Sequence, residues 1–267
     1  MTDQTFIWSA AACYAISGIL TVDRLRRSKT SVTTHPINYA TMLAGFVFHT
    51  LFLYSRGHTL QRCPLTNSFE TTVFIAWAAV LFYLLIGPSY RVSFLGAFTA
   101  PFVLAILVIA LLVLNDSVAG VRLLRSPWVD FHAGIAILSF GAFGLAGVTG
   151  LMYIIQERQL KTRKLTSSFL LLPSIEQLDV INARLTLLGF VMLTAGMIGG
   201  MISYRIIGHW DAPKIIWAVA VWLIYASITL ARQLGSVRGR KIAWASVGAF
   251  AFALVFYWVI SHGGGTP

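Results

Sequence analysis

Eight stretches of 17 to 25 residues, nearly devoid of charge, follow one another along this chain with short polar connections between them. They run Phe6–Val22, Ile37–Tyr54, Phe69–Ile86, Val92–Leu114, Phe131–Ile155, Ala183–Ile207, Ile215–Ala231 and Ile242–Ser261. A helix rises about 1.5 Å per residue and the hydrocarbon layer is roughly 30 Å thick, so runs of this length suit a bilayer. Inside hydrocarbon each backbone N–H and C=O must be satisfied within the protein, which a helix achieves by itself. The pattern predicts an all-α, polytopic integral membrane protein: a bundle of eight transmembrane helices. Composition agrees. Only 11% of residues are charged and mean hydropathy is +0.78, whereas a soluble domain carries roughly a quarter charged residues.

Basic residues orient the bundle. The connections after spans one, three, five and seven, with Arg184 at the start of span six, hold 14 of the 20 Lys and Arg residues; the opposite set holds 6. By the positive-inside rule the first set is cytoplasmic, which places both termini on the outer side. The opening residues Met1 to Gln4 contain an acid and no Lys or Arg, so the first run is expected to stay as an anchor rather than be cleaved. The net charge of +11 arises in these loops and does not indicate nucleic-acid binding. A single membrane domain over residues 1–267 is expected. Its longest connection, about Gln156 to Asn182, would carry a surface-lying segment at Leu170–Leu172 ahead of Pro173. Cys13 and Cys63 form neither a CxxC nor a zinc pattern and are expected to be unpaired.

Ionisable groups are expensive in or beside hydrocarbon. Of six histidines, His35 precedes Pro36 in a cytoplasmic loop and reads as solvated. The other five, His49, His58, His132, His209 and His262, map to the outer half of the bundle or its outer loops. Imidazole is a common axial ligand for haem iron, and two can hold it between them. Trp128, Trp210 and Trp258 are candidate walls for such a site, and Arg122, Arg125, Arg205 and Lys214 candidate partners for haem propionates. Each has a plainer explanation singly: interfacial Trp anchors at headgroup level, and a His at a span end is a polar cap.

Glu70 is the sharpest single anomaly, because Asn67-Ser68-Phe69-Glu70 leads an acid into an otherwise apolar span. Two readings stand. It is a first-turn acid satisfying exposed amides, or a buried acid that orients a histidine or binds a partner. Asp130 and His132, two residues apart, do not share a helix face, which argues against a catalytic dyad. Gly141, Gly144, Gly147 and Gly150 on span five, with Gly196, Gly199 and Gly200 on span six, are expected to let helices approach closely.

Together these residues resemble the cytochrome c assembly family, which includes CcsA, the haem-handling membrane proteins CcmC and CcmF, and shorter HemX-like members. The likeness runs over residues 37–262 and is nearest to the short CcsA/HemX-like members. It is carried by Pro64-Leu-Thr-Asn-Ser-Phe-Glu70 followed by Trp77, by Trp128…His132, and by Gly150-Leu-Met-Tyr-Ile-Ile-Gln-Glu-Arg158. Pro173-Ser-Ile-Glu-Gln-Leu-Asp179, Trp210-Asp211-Ala-Pro213-Lys214 and the closing His262 continue it.

The resemblance implies haem b held at the outer face, with His132 and His262 as axial ligands to its iron and Trp210 and Asp211 contributed by the tryptophan-rich loop. It implies a bacterial plasma membrane, a CcsB-like membrane partner and apocytochrome c as recipient. On this reading the chain is not an enzyme by itself but a subunit of a cytochrome c haem lyase. Two departures stand out. The loop Gly208-His209-Trp210-Asp211 has one Trp where haem-handling members have several. In addition, Thr229-Leu230-Ala231-Arg232 occupies the stretch where CcsA carries an intramembrane His. His49 and Glu70 are the remaining intramembrane candidates for contact with haem. The departures keep a second reading open: a HemX-like, non-enzymatic modulator of haem synthesis or of another membrane protein. A transporter is the least favoured, because no inverted repeat is detectable.

Overall fold

Helices form wherever the apolar runs predict them, and their ends are set by local capping chemistry. The computed structural model describes residues 2–27, 36–90, 95–114, 127–162, 173–207 and 212–263. Among them are α1 (Thr2–Arg27), α2 (Pro36–Leu60), α3 (Ser68–Tyr90), α4 (Leu95–Val113), α5 (Pro127–Lys161), α6 (Ile175–Ile207), α7 (Ala212–Gln233) and α8 (Arg240–Gly263). All eight are long and apolar enough to cross a membrane, and no strand occurs among the described residues.

The stops and starts have physical causes. Pro36 and Pro127 open α2 and α5, where a missing N–H is harmless. At the end of α7, Gly235 adopts φ 67°, Gly235 N–H donates to Arg232 and Ser236 N–H to Ala231. That pair of bonds is a Schellman stop, which favours glycine at this position. At the start of α6, Ser174 and Gln177 each accept a bond from the other's backbone N–H, at 3.1 and 3.2 Å. This capping box starts α6 at Ile175, well before the expected Ala183. With α5 also continuing to Lys161, the connection is shorter than Gln156–Asn182; Leu170–Leu172 lies outside the described residues.

At 35 and 33 residues, α5 and α6 are each about 50 Å long, more than the roughly 30 Å hydrocarbon layer requires. The surplus carries charge: Glu157 pairs with Lys161 at 2.6 Å and with Arg240 at 3.6 Å, and Asp179 pairs with Arg232.

Two four-helix groups result, α1–α4 and α5–α8, joined where α3 and α4 pack on α5. The expected glycine contacts are present. A Cβ at Gly150 would lie 2.8 Å from the Ala243 carbonyl, and one at Gly196 would lie 2.9 Å from the Ala136 Cβ. Within the second group Asn182 ties α6 to α5 and α8, donating to the Ala146 carbonyl at 2.7 Å and accepting from Ser246 at 3.2 Å. Unpaired amides are costly in hydrocarbon, so such bonds fix helix register.

Candidate functional site

Alternation of direction gathers the starts of α3, α5 and α7 and the ends of α2, α6 and α8 at one end of the bundle. Several bonds tie that end. Trp258 donates to Thr72 at 3.0 Å, the Ser68 and Ser261 hydroxyls bond directly, and Trp217 donates to the Ala253 carbonyl at 3.2 Å. Trp217 also stacks on Phe140, with ring centres 5.3 Å apart. Trp258 and Trp217 thus cross-link helices, while Trp128 is exposed beside Phe131 at an interfacial position.

His132 lies on the second turn of α5 with its ring against α6. Its Nδ1 bonds the carbonyl of Gly196. A carbonyl oxygen only accepts, so Nδ1 is the donor, which in the neutral ring leaves the lone pair on Nε2. Gly199 and Gly200 leave the space the ring fills: a Cβ at 199 would stand 3.3 Å from the His132 Cβ, and one at 200 only 2.7 Å from Cε1. A metal-binding imidazole is held in this manner, with the nitrogen away from the metal engaged by a carbonyl.

α8 runs antiparallel beside α5. A side chain at Gly144 would meet Phe250, one at Gly147 lies over Val247, and one at Gly150 meets Ala243. Continuing that pairing toward the His132 end brings residue 132 level with residue 262. The side chain of His262 lies outside the described residues, as do Trp210 and Asp211 with His209.

Glu70 is fully enclosed, and its partners are arginines and a threonine. Arg62 reaches its two oxygens at 2.9 and 3.1 Å, and Arg56 donates at 3.2 Å. Thr66 donates both its backbone N–H and its hydroxyl at 3.0 Å. Asn67 caps α3 by accepting from the Glu70 N–H at 2.7 Å. The acid therefore serves the first turn of α3 and also clamps the α2–α3 connection. That connection reaches α5, where Leu65 lies 3.9 Å from a Cβ built at Gly134. Within it the Cys63 thiol is pushed up to about 11, first by burial and then by the charges of Asp130 and Glu70. A thiol with this pKa is protonated at neutral pH. Both Cys63 and Cys13 are free.

His49 stands apart, enclosed in the other helix group. Its Nδ1 is 3.4 Å from the Tyr14 hydroxyl, its Nε2 has no partner, and its ring is wholly buried. The structure places it against α1, away from the His132–α6 contact. Sequence reasoning missed the glycine cradle of His132 and the arginine partners of Glu70. The Gly196…Gly199-Gly200 spacing was a signal for close packing, but not for what would fill the gap.

A model of the cytochrome c assembly protein family matches residues 65–264, three quarters of the chain. The chain belongs to that family. It is similar to the cytochrome c biogenesis protein CcsA of Prochlorococcus marinus (strain MIT 9301), 30% identical over 235 residues, which cover 78% of this chain and 76% of the relative. The CcsA of Synechococcus sp. (strain CC9902) is 28% identical over 73% of each chain. That of Prochlorococcus marinus (strain MIT 9215) is 26% identical over 83% of this chain and 80% of its own. The family match takes in Glu70, His132, Trp210, Asp211 and His262, while His49 precedes it. This cytochrome c assembly protein thus carries the Glu70 clamp and the His132 cradle within its family region.

Proposed function

We propose that this protein acts in the biogenesis of c-type cytochromes by holding haem b at the His132 end of the bundle, for delivery or attachment to apocytochrome c. One observation carries the reading: His132 is fixed in tautomer and direction by the Gly196 carbonyl and the glycine slot of α6. The donor set fits the cargo, because an imidazole with Nδ1 engaged offers Nε2 to iron. His262, level with it on the adjacent helix, would be the second ligand to the iron, with Trp210 and Asp211 as further haem contacts.

In this reading the His132 end and both termini face outward across a bacterial plasma membrane. Haem supplies the vinyl groups, and the thioether chemistry belongs to haem and to the cysteine thiols of the recipient. This chain binds and orients. Glu70 and its two arginines hold the α2–α3 connection over the start of α5, so that the face presented to a recipient keeps its shape. A CcsB-like membrane partner would hold the apocytochrome.

The test is purification in detergent from a host making ample haem, with absorbance spectra of wild type, His132→Ala and His262→Ala. A Soret band in wild type, lost in both variants and restored to His132→Ala by added imidazole, is expected. A wild type without haem sinks the proposal. A Soret band unchanged in both variants overturns the ligand assignment.

A further inference from the structure

At the opposite end of the bundle, α6, α7 and α8 enclose a hollow of about 260 Å³. Its lining combines apolar walls with polar atoms that have no partner. Leu187, Ile228 and Ile242 supply the walls, and Thr186, Thr229 and Arg232 the polar groups. The hydroxyls of Thr186 and Thr229 and the Nη1 of Arg232 are buried and unbonded. Arg232 is held in place by its other nitrogen, Nη2, which bonds both the carboxylate and the backbone carbonyl of Asp179. That bond neutralises part of the charge and also prevents the guanidinium from swinging out to solvent.

A buried polar group without a partner is costly, so three sharing one hollow call for a ligand. Two hydroxyls and a guanidinium N–H can all donate, and an oxyanion satisfies the three together while matching the positive charge of Arg232. The setting selects its source. Leu187, one of its wall residues, is 45% exposed, so the hollow opens where lipid surrounds the bundle. A shallow, open groove begins at Ile228, which lines both, and follows α7 and α8 toward the middle of the bundle past Ser227, Gly248 and Phe252. It is apolar, and a Cβ at Gly248 would meet nothing within 4 Å. The site also lies at the end of the bundle richest in Lys and Arg, where basic pockets between helices take anionic headgroups.

We propose that this is a binding site for one anionic phospholipid, its phosphate on Arg232, Thr186 and Thr229 and an acyl chain along α7 and α8 past Gly248. The site is separate from the His132 end and does not depend on the haem reading.

The test reconstitutes the full-length protein in nanodiscs of equal parts phosphatidylglycerol and phosphatidylethanolamine, then counts the lipids retained by native mass spectrometry. Wild type should keep phosphatidylglycerol over phosphatidylethanolamine by roughly fivefold, the weight of one arginine near a membrane surface. Thr186→Val/Thr229→Val, which preserves shape, and Arg232→Gln should bring the ratio close to one. Gly248→Leu, which has room in the fold, should lower total retention by occupying the groove. Equal retention of the two lipids by wild type overturns the proposal, as does a preference that survives in both headgroup variants. A separate arm adds inorganic phosphate to delipidated protein. If phosphate alone raises the melting temperature as far as phosphatidylglycerol does, the ligand is a soluble oxyanion and the lipid assignment fails.

Discussion

Gly200 shows how little room the His132 imidazole has. A methyl group there would sit 2.7 Å from Cε1, so the ring must turn and its bond to the Gly196 carbonyl is lost. Loss of such an orienting bond lowers metal affinity by about tenfold or more. Gly200→Ala should therefore reduce bound haem severalfold, read as haem per chain after pyridine extraction. Gly199→Ala, whose Cβ would sit at 3.3 Å, should do less. Equal haem content in Gly200→Ala and wild type would reduce the slot to simple packing. A second single residue carries backbone strain. Gln61 closes α2 at φ 51°, with the Arg62 N–H donating to Gly57 and the Gln61 N–H to His58. This is the stop that α7 makes with Gly235, built here on a residue for which left-handed backbone costs about 1–2 kcal/mol. Gln61→Gly should stabilise the protein by about 0.5–1 kcal/mol, offset in part by glycine's greater freedom when unfolded. Thermal unfolding in detergent is the measurement, and a lowered midpoint would mean that the exposed Gln61 side-chain bond to the His58 carbonyl outweighs the strain.

Among elements, the α2–α3 connection depends most on one side chain. Glu70 holds Arg56, Arg62 and Thr66, and its side chain is fully buried while the arginines are 11% and 15% exposed. Breaking a buried ion pair from one side costs about 3–5 kcal/mol, because the remaining charge is stranded. Glu70→Gln should lower stability by about that amount and loosen residues 61–67, seen as faster amide exchange there than in α6. Unchanged exchange would show that Leu65 on α5 suffices to hold the connection. This element also marks the limit of what the sequence discloses. The existence and order of all eight helices follow from the apolar runs alone, because lipid leaves the backbone no other choice. Glu70 is visible as an anomaly for the same reason. Its partners are not, since Arg62 reaches it across an irregular turn whose course no helical periodicity describes. The early start of α6 was readable in Ser174-Ile-Glu-Gln177, but hydropathy takes the polar residues that follow for a loop. His132 is legible as a ligand type, whereas its cradle required knowing that α6 crosses α5 at Gly196 rather than a turn away.

At the scale of the molecule, the two helix groups meet through α3 and α5, and the alternation of direction ties every functional reading to one question of sidedness. The bundle brings the level of residues 132 and 262, the Glu70 clamp and the α2–α3 connection to one end, and the Arg232 hollow to the other. Read by the positive-inside rule, the Lys and Arg distribution predicts that the Arg232 end faces the cytoplasm. That assignment can be tested without reference to haem. Thr59 and Ser236 are exposed residues at opposite ends, one in the last turn of α2 and the other in the α7–α8 turn. In a background lacking Cys13 and Cys63, Thr59→Cys should react with a membrane-impermeant maleimide in intact cells. Ser236→Cys should react only after the membrane is permeabilised. The reverse pattern would put the His132 end in the cytoplasm, where it could load haem but could not serve a recipient across the membrane. It would also move the Arg232 hollow to the outer leaflet, against the charge distribution that argues for an anionic headgroup there. The labelling pattern therefore decides the sidedness of both proposed sites at once, while the spectra and the lipid counts decide their occupants separately.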